Sequence, residues 1–352
     1  MKKVLVGLSG GVDSATTAWL LKKAGYDVTG ITFQFHQNEA GFAQALFDAG
    51  KVAAKLGISH YTYDGREDFK KKVLDYFAES YLSGSTPNPC PRCNLFMKFK
   101  VLLEEADRQG MDFIATGHYA WIKETPAGFR LFQIPDNPKS QEYFLALLGP
   151  EVLKRLLLPL WHYKKDDVRS LAQEAGLPVS SKKDSQEICF IPDDDYVKFI
   201  REYKKIEPVP GNLRTLDGKI VGRHQGFFQY TIGQRRGIGV GLGKPQYVIA
   251  LDPQKNEVII GDKEFVEKKH IEVALDREWE NLKIGQELLV KIRYKSPAEP
   301  CRFIERTGNR CLVEANGFFG APTPGQLAVF YDDSGMVLGA GDISVPNKEQ
   351  AK

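Results

Sequence analysis

Between a short apolar run at residues 2–8 and a helix-patterned stretch at 15–24 lies Ser9-Gly10-Gly11-Val12-Asp13-Ser14, and this join constrains the chain more than any other feature. A strand that empties through two glycines into a helix presents backbone N–H groups without Cβ obstruction, at the positive end of the helix dipole. Such a turn is an anion cradle, and the fold that builds it is a parallel sheet with crossover helices. No Gly-Lys-Ser/Thr follows, which excludes a Walker A loop, and the spacing is not that of the Gly-x-Gly-x-x-Gly dinucleotide turn. The hydroxyls of Ser9 and Ser14 are suited to donate to phosphate, and Asp13 to cap the helix or hold Mg²⁺. The plain alternative is an ordinary strand-to-helix turn with a good N-cap, which would not require two glycines and two flanking serines together.

Strand and helix patterns go on alternating. An apolar run at 28–35 is followed by a helical stretch at 43–56 that closes at Gly57, a third strand at 58–63, helices at 69–81 and 95–109, and a strand at 113–117. From about residue 207 the helical period disappears. Pro208, Pro210 and Gly211 punctuate the chain, and the runs 247–251 and 257–260 flank a turn at 252–256 as a hairpin. Further runs at 287–295, 301–305, 311–314, 326–331 and 337–343 suggest a small antiparallel barrel. The expected fold class is α/β: a doubly wound parallel-sheet catalytic domain (1–205), a small β-rich central domain (206–268) and a C-terminal antiparallel β-barrel (269–352). That count agrees with a chain of 352 residues at roughly 150 residues per domain.

Lys and Arg number 48 against 45 Asp and Glu, a net charge of +3, so any surface for a polyanion must be local. In the run 289–295, strand alternation sets Lys291, Arg293 and Lys295 on one face and Val290, Ile292 and Tyr294 on the other. Its plain alternative is a solvated outer face. Arg235-Arg236, in the Gly-rich stretch 233–243, offers a second phosphate clamp. Five cysteines without a secretory or membrane-spanning pattern point to a reducing compartment, the cytoplasm, where thiols bind metal or do chemistry. Cys90 and Cys93 form a C-x-x-C pair just ahead of a helix, where the dipole and Arg92 are expected to lower thiol pKa values. The pair could instead be half of a zinc site completed by Cys189 and His118. Cys189 stands among mixed neighbours, and Cys301 and Cys311 flank a hairpin at Gly308-Asn309 as ordinary sheet residues. His118 could be a satisfied core histidine, but its place at a strand end favours a site role.

In one order the chain carries the 9–14 loop, Pro87-Asn88-Pro89 followed by Cys90-x-x-Cys93-Asn94, Thr116-Gly117-His118-Tyr119, a segment from Asp184-Ser185-Gln186 to Phe190, Tyr230-Thr231-Ile232-Gly233-Gln234-Arg235, and Pro324-Gly325-Gln326. This set resembles the bacterial tRNA-specific 2-thiouridylases, a family of PP-loop ATP pyrophosphatases. The resemblance implies an ATP-dependent sulfurtransferase that thiolates the wobble uridine of the tRNAs for Lys, Glu and Gln. It implies ATP contacts from Gly7, Leu8, Ser9, Gly10, Gly11, Val12, Asp13 and Ser14, from Phe33 and from Gly117. Cys93 would be the sulfur-bearing nucleophile and Cys189 its partner. Asn88, Pro89 and Cys90 would meet the target base. Lys139, Ser140, Gln141, Arg293 and Tyr294 would contact tRNA, with His118 and Gln326 as further positioning residues. This chain departs from the family at three points: Cys90 stands where many members have Asp, Ser140 interrupts a usual Lys-Asp-Gln, and Phe33 replaces a frequent Met.

Two sulfur routes are open. In one, Cys90, Cys93 and Cys189 ligate three irons of an iron–sulfur cluster whose fourth iron delivers inorganic sulfide, and the cysteine at position 90 favours this route. In the other, Cys189 takes a persulfide from a cysteine desulfurase or relay protein and passes sulfur on with Cys93. The expected small molecules are ATP and Mg²⁺ and, by the first route, the cluster. The expected partners are tRNA and a sulfur donor, with no membrane and a monomer or weak dimer. A PP-loop amidotransferase or synthetase acting on a small acid, and a non-enzymatic RNA-binding protein with a zinc-stapled loop, are the competing readings. Segments 37–41 and 83–88 are expected to order on tRNA, from their polar and Gly/Pro content.

Overall fold

The computed structural model describes residues 1–36, 39–180, 182, 188–191, 193–279 and 281–344. Residues 37–38, the Asp184-Ser185-Gln186 part of one motif and the polar tail from Asn347 lie outside the described residues. The chain divides into two compact units. One holds Met1–Leu74, Cys90–Phe190 and Ser334–Val337, and the other holds Asp75–Pro89, Ile191–Asp333 and the chain from Leu338.

In the first unit, strands β1 (Lys3–Gly7), β2 (Asp27–Gln34), β3 (Ser59–Asp64) and β4 (Phe113–Ala115) join a short β7 (Leu156–Leu157), while β5 (Trp121–Thr125) and β6 (Gly128–Phe132) form a separate hairpin. The five sheet strands are all parallel, in the order β3-β2-β1-β4-β7. Val4, Leu5 and Val6 are 0% exposed, so β1 is buried on both faces and reads as an unbroken apolar run. The chain winds outward from β1 through β2 to β3, then returns to the other side of β1 with β4. The carboxyl end of β1 is therefore a topological switch point, where open α/β sheets leave a crevice for ligands. Helices α1 (Val12–Lys23) and α2 (Glu39–Leu56) supply crossovers, and Val12, Ala15, Ala18 and Leu21 of α1 pack with Ala49 and Val52 of α2 in one core.

In the second unit, β8 (Gly211–Thr215), β9 (Ile220–His224), β10 (Tyr247–Asp252) and β11 (Glu257–Gly261) form a sheet in the order β10-β11-β8-β9. The hairpin expected around 252–256 is the antiparallel β10–β11 pair. Strands β12 (Glu267–Glu278), β13 (Glu287–Lys291), β14 (Glu299–Thr307), β15 (Arg310–Gly320), β16 (Leu327–Tyr331) and β17 (Val337–Ser344) close a barrel filled by Phe303, Phe319 and Phe330.

Two expectations change in detail. The helix expected at 95–109 is one helical run from Pro89 to Arg108, with an i→i+5 turn at Asn94–Lys98 between α-helical stretches Pro89–Cys93 and Phe99–Arg108. The strand expected at 287–295 ends at Lys291, and 292–296 is bend and turn. Among the described residues no helix is long and apolar enough to cross a membrane.

Candidate active site

The loop 8–14 leaves β1 at the switch point. Leu8 and Val12 are buried and fix its two ends, while Ser9 faces solvent. Gly10 has φ +69°, and a Cβ there would lie 2.5 Å from Ala45 O, so both backbone and space demand glycine. Ser14 Oγ accepts from Ser9 N and donates to Gly11 O, at 3.1 Å each, which closes the loop on itself. Gly11 is the N-cap of α1 and offers no side-chain acceptor, so the first N–H groups of the helix keep their capacity for an anion. Gly117 packs so tightly on the loop that a Cβ would lie 2.7 Å from Ser14 N. Phe33, stacked on Phe35 with ring centroids 4.9 Å apart, stands beside Gly7 as an apolar wall.

Asp13 does not cap the helix. Both its carboxylate oxygens lie 2.7 Å from Lys165 Nζ, and Tyr119 OH donates to it at 2.7 Å. Lys165 opens the helix Lys165–Glu174, whose Val168 and Ala172 are buried, and its side chain is only 10% exposed. The Asp13 carboxylate thus carries a full counter-charge and does not fit the role of magnesium ligand. Lys182 adds a second cation: its Nζ reaches Asp48 Oδ2 at 2.6 Å and the Gly10 carbonyl at 3.1 Å. Burial, the largest single influence, would raise the Asp48 pKa, but the hydrogen bonds from Lys182 and Gln44 and the charges of Lys182 and Lys51 together outweigh it and hold the carboxyl below its ordinary range. Neither lysine carries a signal in the linear sequence, since each reaches the loop from more than 150 residues away.

Cys90 and Cys93 lie inside the first turns of the 89–108 helix, not ahead of it. The expectation of lowered thiol pKa values fails. Burial pushes Cys90 up to about 11 and Cys93 up to about 12, and it raises Cys189 as well. Desolvation of a thiolate here exceeds what the dipole supplies. The cation these thiols sense is not Arg92, which lies over the Phe96 ring at 6.0 Å, but Lys98, whose charge opposes the rise at all three. The i→i+5 turn, closed by Phe99 N–H on Asn94 O, sets Lys98 in this neighbourhood, and Asn94 Nδ2 ties the turn to Phe144 O at 2.9 Å. Cys189 is exposed as a residue, although its thiol is desolvated. All five cysteines are free thiols; Cys301 and Cys311 are buried on the paired strands β14 and β15, as the hairpin reading expects.

The three thiols sense one another, yet among the described residues no group of three or more His, Cys, Asp or Glu side chains is placed to hold a metal ion. As placed, Cys90, Cys93 and Cys189 do not fit an iron–sulfur cluster, nor do Cys90, Cys93, Cys189 and His118 fit a zinc site. His118 is half-buried, with Nδ1 2.8 Å from Thr116 Oγ1 and its ring 5.6 Å from that of Phe99. Burial, then the Lys98 charge, lowers its pKa well below 6.5 and keeps the imidazole neutral.

Of the residues expected at tRNA, some face outward and some do not. Lys139 is exposed, and Arg235 and Arg236 are exposed without an ion pair among the described residues. Ser140 is 4% exposed and its hydroxyl accepts from Ile134 N, while Gln141 Oε1 accepts from Tyr119 N at 2.9 Å; both brace the chain locally. The expected basic face does not form. Lys291 is buried with its ammonium over the Tyr331 ring at 5.7 Å, and Arg293 Nη2 donates to Ala321 O (2.6 Å) and Thr323 Oγ1 (2.7 Å). Tyr294 lies in the turn that follows β13, half-buried. Gln326 Nε2 donates to Thr86 O at 2.8 Å. Asn88 leads directly into the cysteine helix, whose first residue is Pro89.

A parallel sheet whose first strand ends in a glycine–serine anion cradle, with cations converging on the cradle and three thiols in the same unit, defines a nucleotide-dependent α/β enzyme of the PP-loop class. Family models match nearly the whole chain: one described as a tRNA methyl transferase HUP domain over 2–193, its PRC-barrel domain over 197–262, and an aminomethyltransferase beta-barrel domain over 265–343. Curated relatives are named tRNA-specific 2-thiouridylase MnmA. The protein from Lachnoclostridium phytofermentans is 41% identical, with 97% of this chain and 99% of the relative covered, and that from Carboxydothermus hydrogenoformans is 44% identical with 97% of each covered. The chain belongs to the tRNA-specific 2-thiouridylase family, a family of tRNA sulfurtransferases. A solved 4-thiouridine synthetase–RNA complex with bound ATP is similar at 16% identity and a TM-score of 0.36, over 57% of this chain and 50% of that one.

Proposed function

We propose that the protein replaces the C2 oxygen of the wobble uridine with sulfur in the tRNAs for Lys, Glu and Gln, cleaving MgATP to AMP and pyrophosphate. The observation that carries this reading is the placement of the 9–14 cradle and the thiols of Cys90, Cys93 and Cys189 in one structural unit. The family descriptions speak of methyl transfer, but thiols and an anion cradle suit sulfur transfer, as do the names of the full-length relatives.

A uracil C2 carbonyl is a poor electrophile, because its oxygen leaves badly. Nucleophilic attack by that oxygen on the α-phosphorus expels pyrophosphate and makes the oxygen part of a good leaving group. The N–H groups at the start of α1, the hydroxyls of Ser9 and Ser14, and the Lys165 and Lys182 ammoniums would stabilise the charge that develops on the phosphates. Gly7, Leu8, Gly10, Gly11, Val12 and Gly117 shape this pocket, with Phe33 against the adenosine. Magnesium enters on the ATP phosphates as part of the substrate, and no step is derived through a metal held by the protein.

The thiols support the persulfide route over the cluster. A donor protein places a terminal sulfur on Cys189; that sulfur attacks C2, AMP departs with the oxygen, and a C2–S–S–Cys189 link forms. The Cys93 thiolate then attacks the Cys189 sulfur, which breaks the S–S bond, leaves sulfur on C2 and forms a Cys93–Cys189 disulfide. An external dithiol reduces the disulfide and resets the pair. Cys93 is protonated at neutral pH in the free protein, and Lys98 is the cation that favours its thiolate. Asn88, Pro89, Cys90 and His118 would surround the flipped base, since a base in an anticodon loop costs least to unstack. Lys139, Arg235 and Arg236 would hold the tRNA backbone. The working division into segments 1–205, 206–268 and 269–352, a monomer or weak dimer, and a cytoplasmic location belong to the same proposal.

The test is unmodified tRNA incubated with the protein, ATP and either a persulfide-charged donor or inorganic sulfide, with 2-thiouridine and pyrophosphate both measured. Pyrophosphate release that depends on tRNA, coupled to 2-thiouridine, is the expected result. Release driven by a carboxylate plus ammonia without tRNA would move the protein to the amidotransferases. Tight tRNA binding with no pyrophosphate would leave only an RNA-binding protein.

A further inference from the structure

Tyr119 joins three parts of the first unit: the cradle, the helix that carries Lys165, and the turn that carries Lys139. It is 3% exposed, and its ring packs with Ile134, Leu160 and Val168 in a small core. Val168 lies one turn into the helix that Lys165 opens, so the ring is seated on the element that brings the counter-charge to the cradle. The Tyr119 hydroxyl donates to Asp13 Oδ1 at 2.7 Å, the same oxygen that Lys165 Nζ holds at 2.7 Å. Two residues earlier, Gly117 meets the cradle backbone: a Cβ there would lie 2.7 Å from Asp13 C and 2.9 Å from Asp13 Cβ. In a close-packed interior, movement of the 117–119 segment is passed to Asp13 by contact as well as by hydrogen bond.

The backbone of Tyr119 is paired with the second loop. Tyr119 N donates to Gln141 Oε1 at 2.9 Å, and Gln141 N donates to Tyr119 O at 2.6 Å. The turn ahead of Gln141 is closed on itself. Ser140 N donates to Asn137 O at 3.0 Å, Lys139 N to Asn137 Oδ1 at 2.9 Å, and Ile134 N to the buried Ser140 hydroxyl at 2.8 Å. Lys139 stands exposed on this turn. These bonds make a continuous path from the Lys139 turn through Gln141 and Tyr119 to Asp13 and Lys165.

We propose that Tyr119 is a positioning residue that acts through Asp13: it transmits the placement of the 137–141 turn to the Asp13–Lys165 pair, so that tRNA and ATP each favour the binding of the other. A phosphate backbone drawn to Lys139 fixes the turn, holds Tyr119 on Asp13 and presets the Lys165 ammonium for the nucleotide. A nucleotide that orders the cradle fixes the turn in return. No second arrangement of the chain is required, because each ligand lowers the ordering cost that the other meets. The proposal rests on the reading above for tRNA as the ligand at Lys139, and not on the sulfur chemistry.

The experiment uses the full-length protein, unmodified tRNA and α,β-methylene-ATP, whose α–β bridge is not cleaved. Dissociation constants are measured for the analogue with and without saturating tRNA, and for tRNA with and without the analogue. In the wild type each ligand is expected to tighten the other about ten-fold, by the same factor in both directions, since coupling is reciprocal. Tyr119→Phe keeps the ring in its core and removes the hydroxyl. Its coupling factor should fall below about two-fold, while analogue affinity without tRNA stays within about three-fold of wild type. A tyrosine that only fills the core would lower the melting temperature of the variant and leave the factor unchanged, which would overturn the proposal. So would an absence of coupling in the wild type, or a loss of about ten-fold in analogue affinity without tRNA, which would place Tyr119 in the nucleotide site itself. Should Tyr119→Phe fail to fold, amide exchange in the wild type decides: the analogue alone should slow exchange across 137–141 at least about three-fold, and unchanged exchange would overturn the coupling. Coupling without 2-thiouridine would sink the sulfur chemistry alone, and thiolation without coupling would sink the role of Tyr119 alone.

Discussion

Lys165 holds Asp13 by both carboxylate oxygens, with Nζ 2.7 Å from each, at the first turn of the helix that receives the anion cradle. The pair puts a nearly buried ammonium where phosphate charge would develop, and it removes Asp13 from the pool of metal ligands. Lys165→Met should therefore lower pyrophosphate release by about a hundred-fold, the usual effect of deleting one preorganised charge at a developing anion. Thermal stability should fall too, on the order of 1–3 kcal/mol, because the part-buried Asp13 carboxylate keeps only the Tyr119 hydroxyl. Pyrophosphate release within three-fold of wild type would remove Lys165 from the phosphate site.

The two glycines of the cradle are not equivalent. Gly10 sits at φ +69° with 2.5 Å between a would-be Cβ and Ala45 O, whereas Gly11 has φ −103° and its nearest obstacle is Ser9 Oγ at 3.4 Å. Gly10→Ala should cost about 1–3 kcal/mol of stability and abolish pyrophosphate release. Gly11→Ala should fold with less than about 1 kcal/mol lost. Melting curves with a pyrophosphate assay on each variant decide the matter, and equal damage from both would mean that the turn is not the strained element.

The cradle and the alternation of strand and helix were legible because they are local: one register of apolar residues and two glycines specify a strand, a turn and a helix start. The barrel and its closing hairpins were legible from short alternating runs for the same reason. What local patterns did not show is which distant charges close on the cradle. Lys165 and Lys182 look like ordinary helix-end and loop lysines, and only the crossover brings them to Asp13 and Gly10. Lys98 was hidden for a different reason. Five residues after Cys93, an α-helix would carry it to another face, and nothing in Asn94-Leu95-Phe96-Met97 announces the i→i+5 turn that changes this. The basic run 291–295 misled because alternation was extended past the real end of β13, where the chain bends and Lys291 is buried with its ammonium over the Tyr331 ring.

The sulfur routes separate on Cys90. By the persulfide route Cys93→Ala and Cys189→Ala should each abolish 2-thiouridine formation, while Cys90→Ala keeps at least about a third of wild-type turnover. Iron and acid-labile sulfide measured on protein purified without oxygen complete the test. A stoichiometric cluster, lost in Cys90→Ala together with activity, would show that the thiols converge on iron and would restore the cluster route.

Cys301 and Cys311 give the barrel an alkaline limit. Both are buried, and burial pushes each thiol up to about 12 from an ordinary 9.0. Below pH 9 the thiols are neutral whether the chain is folded or not, and their contribution to stability is fully present. Between pH 9 and 12 the unfolded chain ionises them and the folded barrel does not, so stability falls as pH rises. At pH 10 the loss attributable to the two thiols is about 3 kcal/mol, at about 1.4 kcal/mol per pH unit for each. Denaturation midpoints of wild type and Cys301→Ala/Cys311→Ala, compared at pH 8 and pH 10, should show a shallower alkaline decline in the variant. Parallel declines would mean that these thiols do not control it.

Of the basic residues expected at tRNA, Lys139, Arg235 and Arg236 are exposed, the two arginines between Gly233 and Gly237, which both take positive φ. A side chain that only neutralises phosphate contributes through counterion release, so each Arg→Ala change should reduce the slope of log affinity against log salt by about 1. Gln141→Ala should behave differently. Its side-chain oxygen accepts the Tyr119 N–H, so the variant should lose about 1 kcal/mol of stability and leave the salt slope unchanged. Binding isotherms for one unmodified tRNA at several salt concentrations distinguish the two classes. A slope that is the same in Arg235→Ala/Arg236→Ala as in wild type would show that the tRNA backbone passes elsewhere.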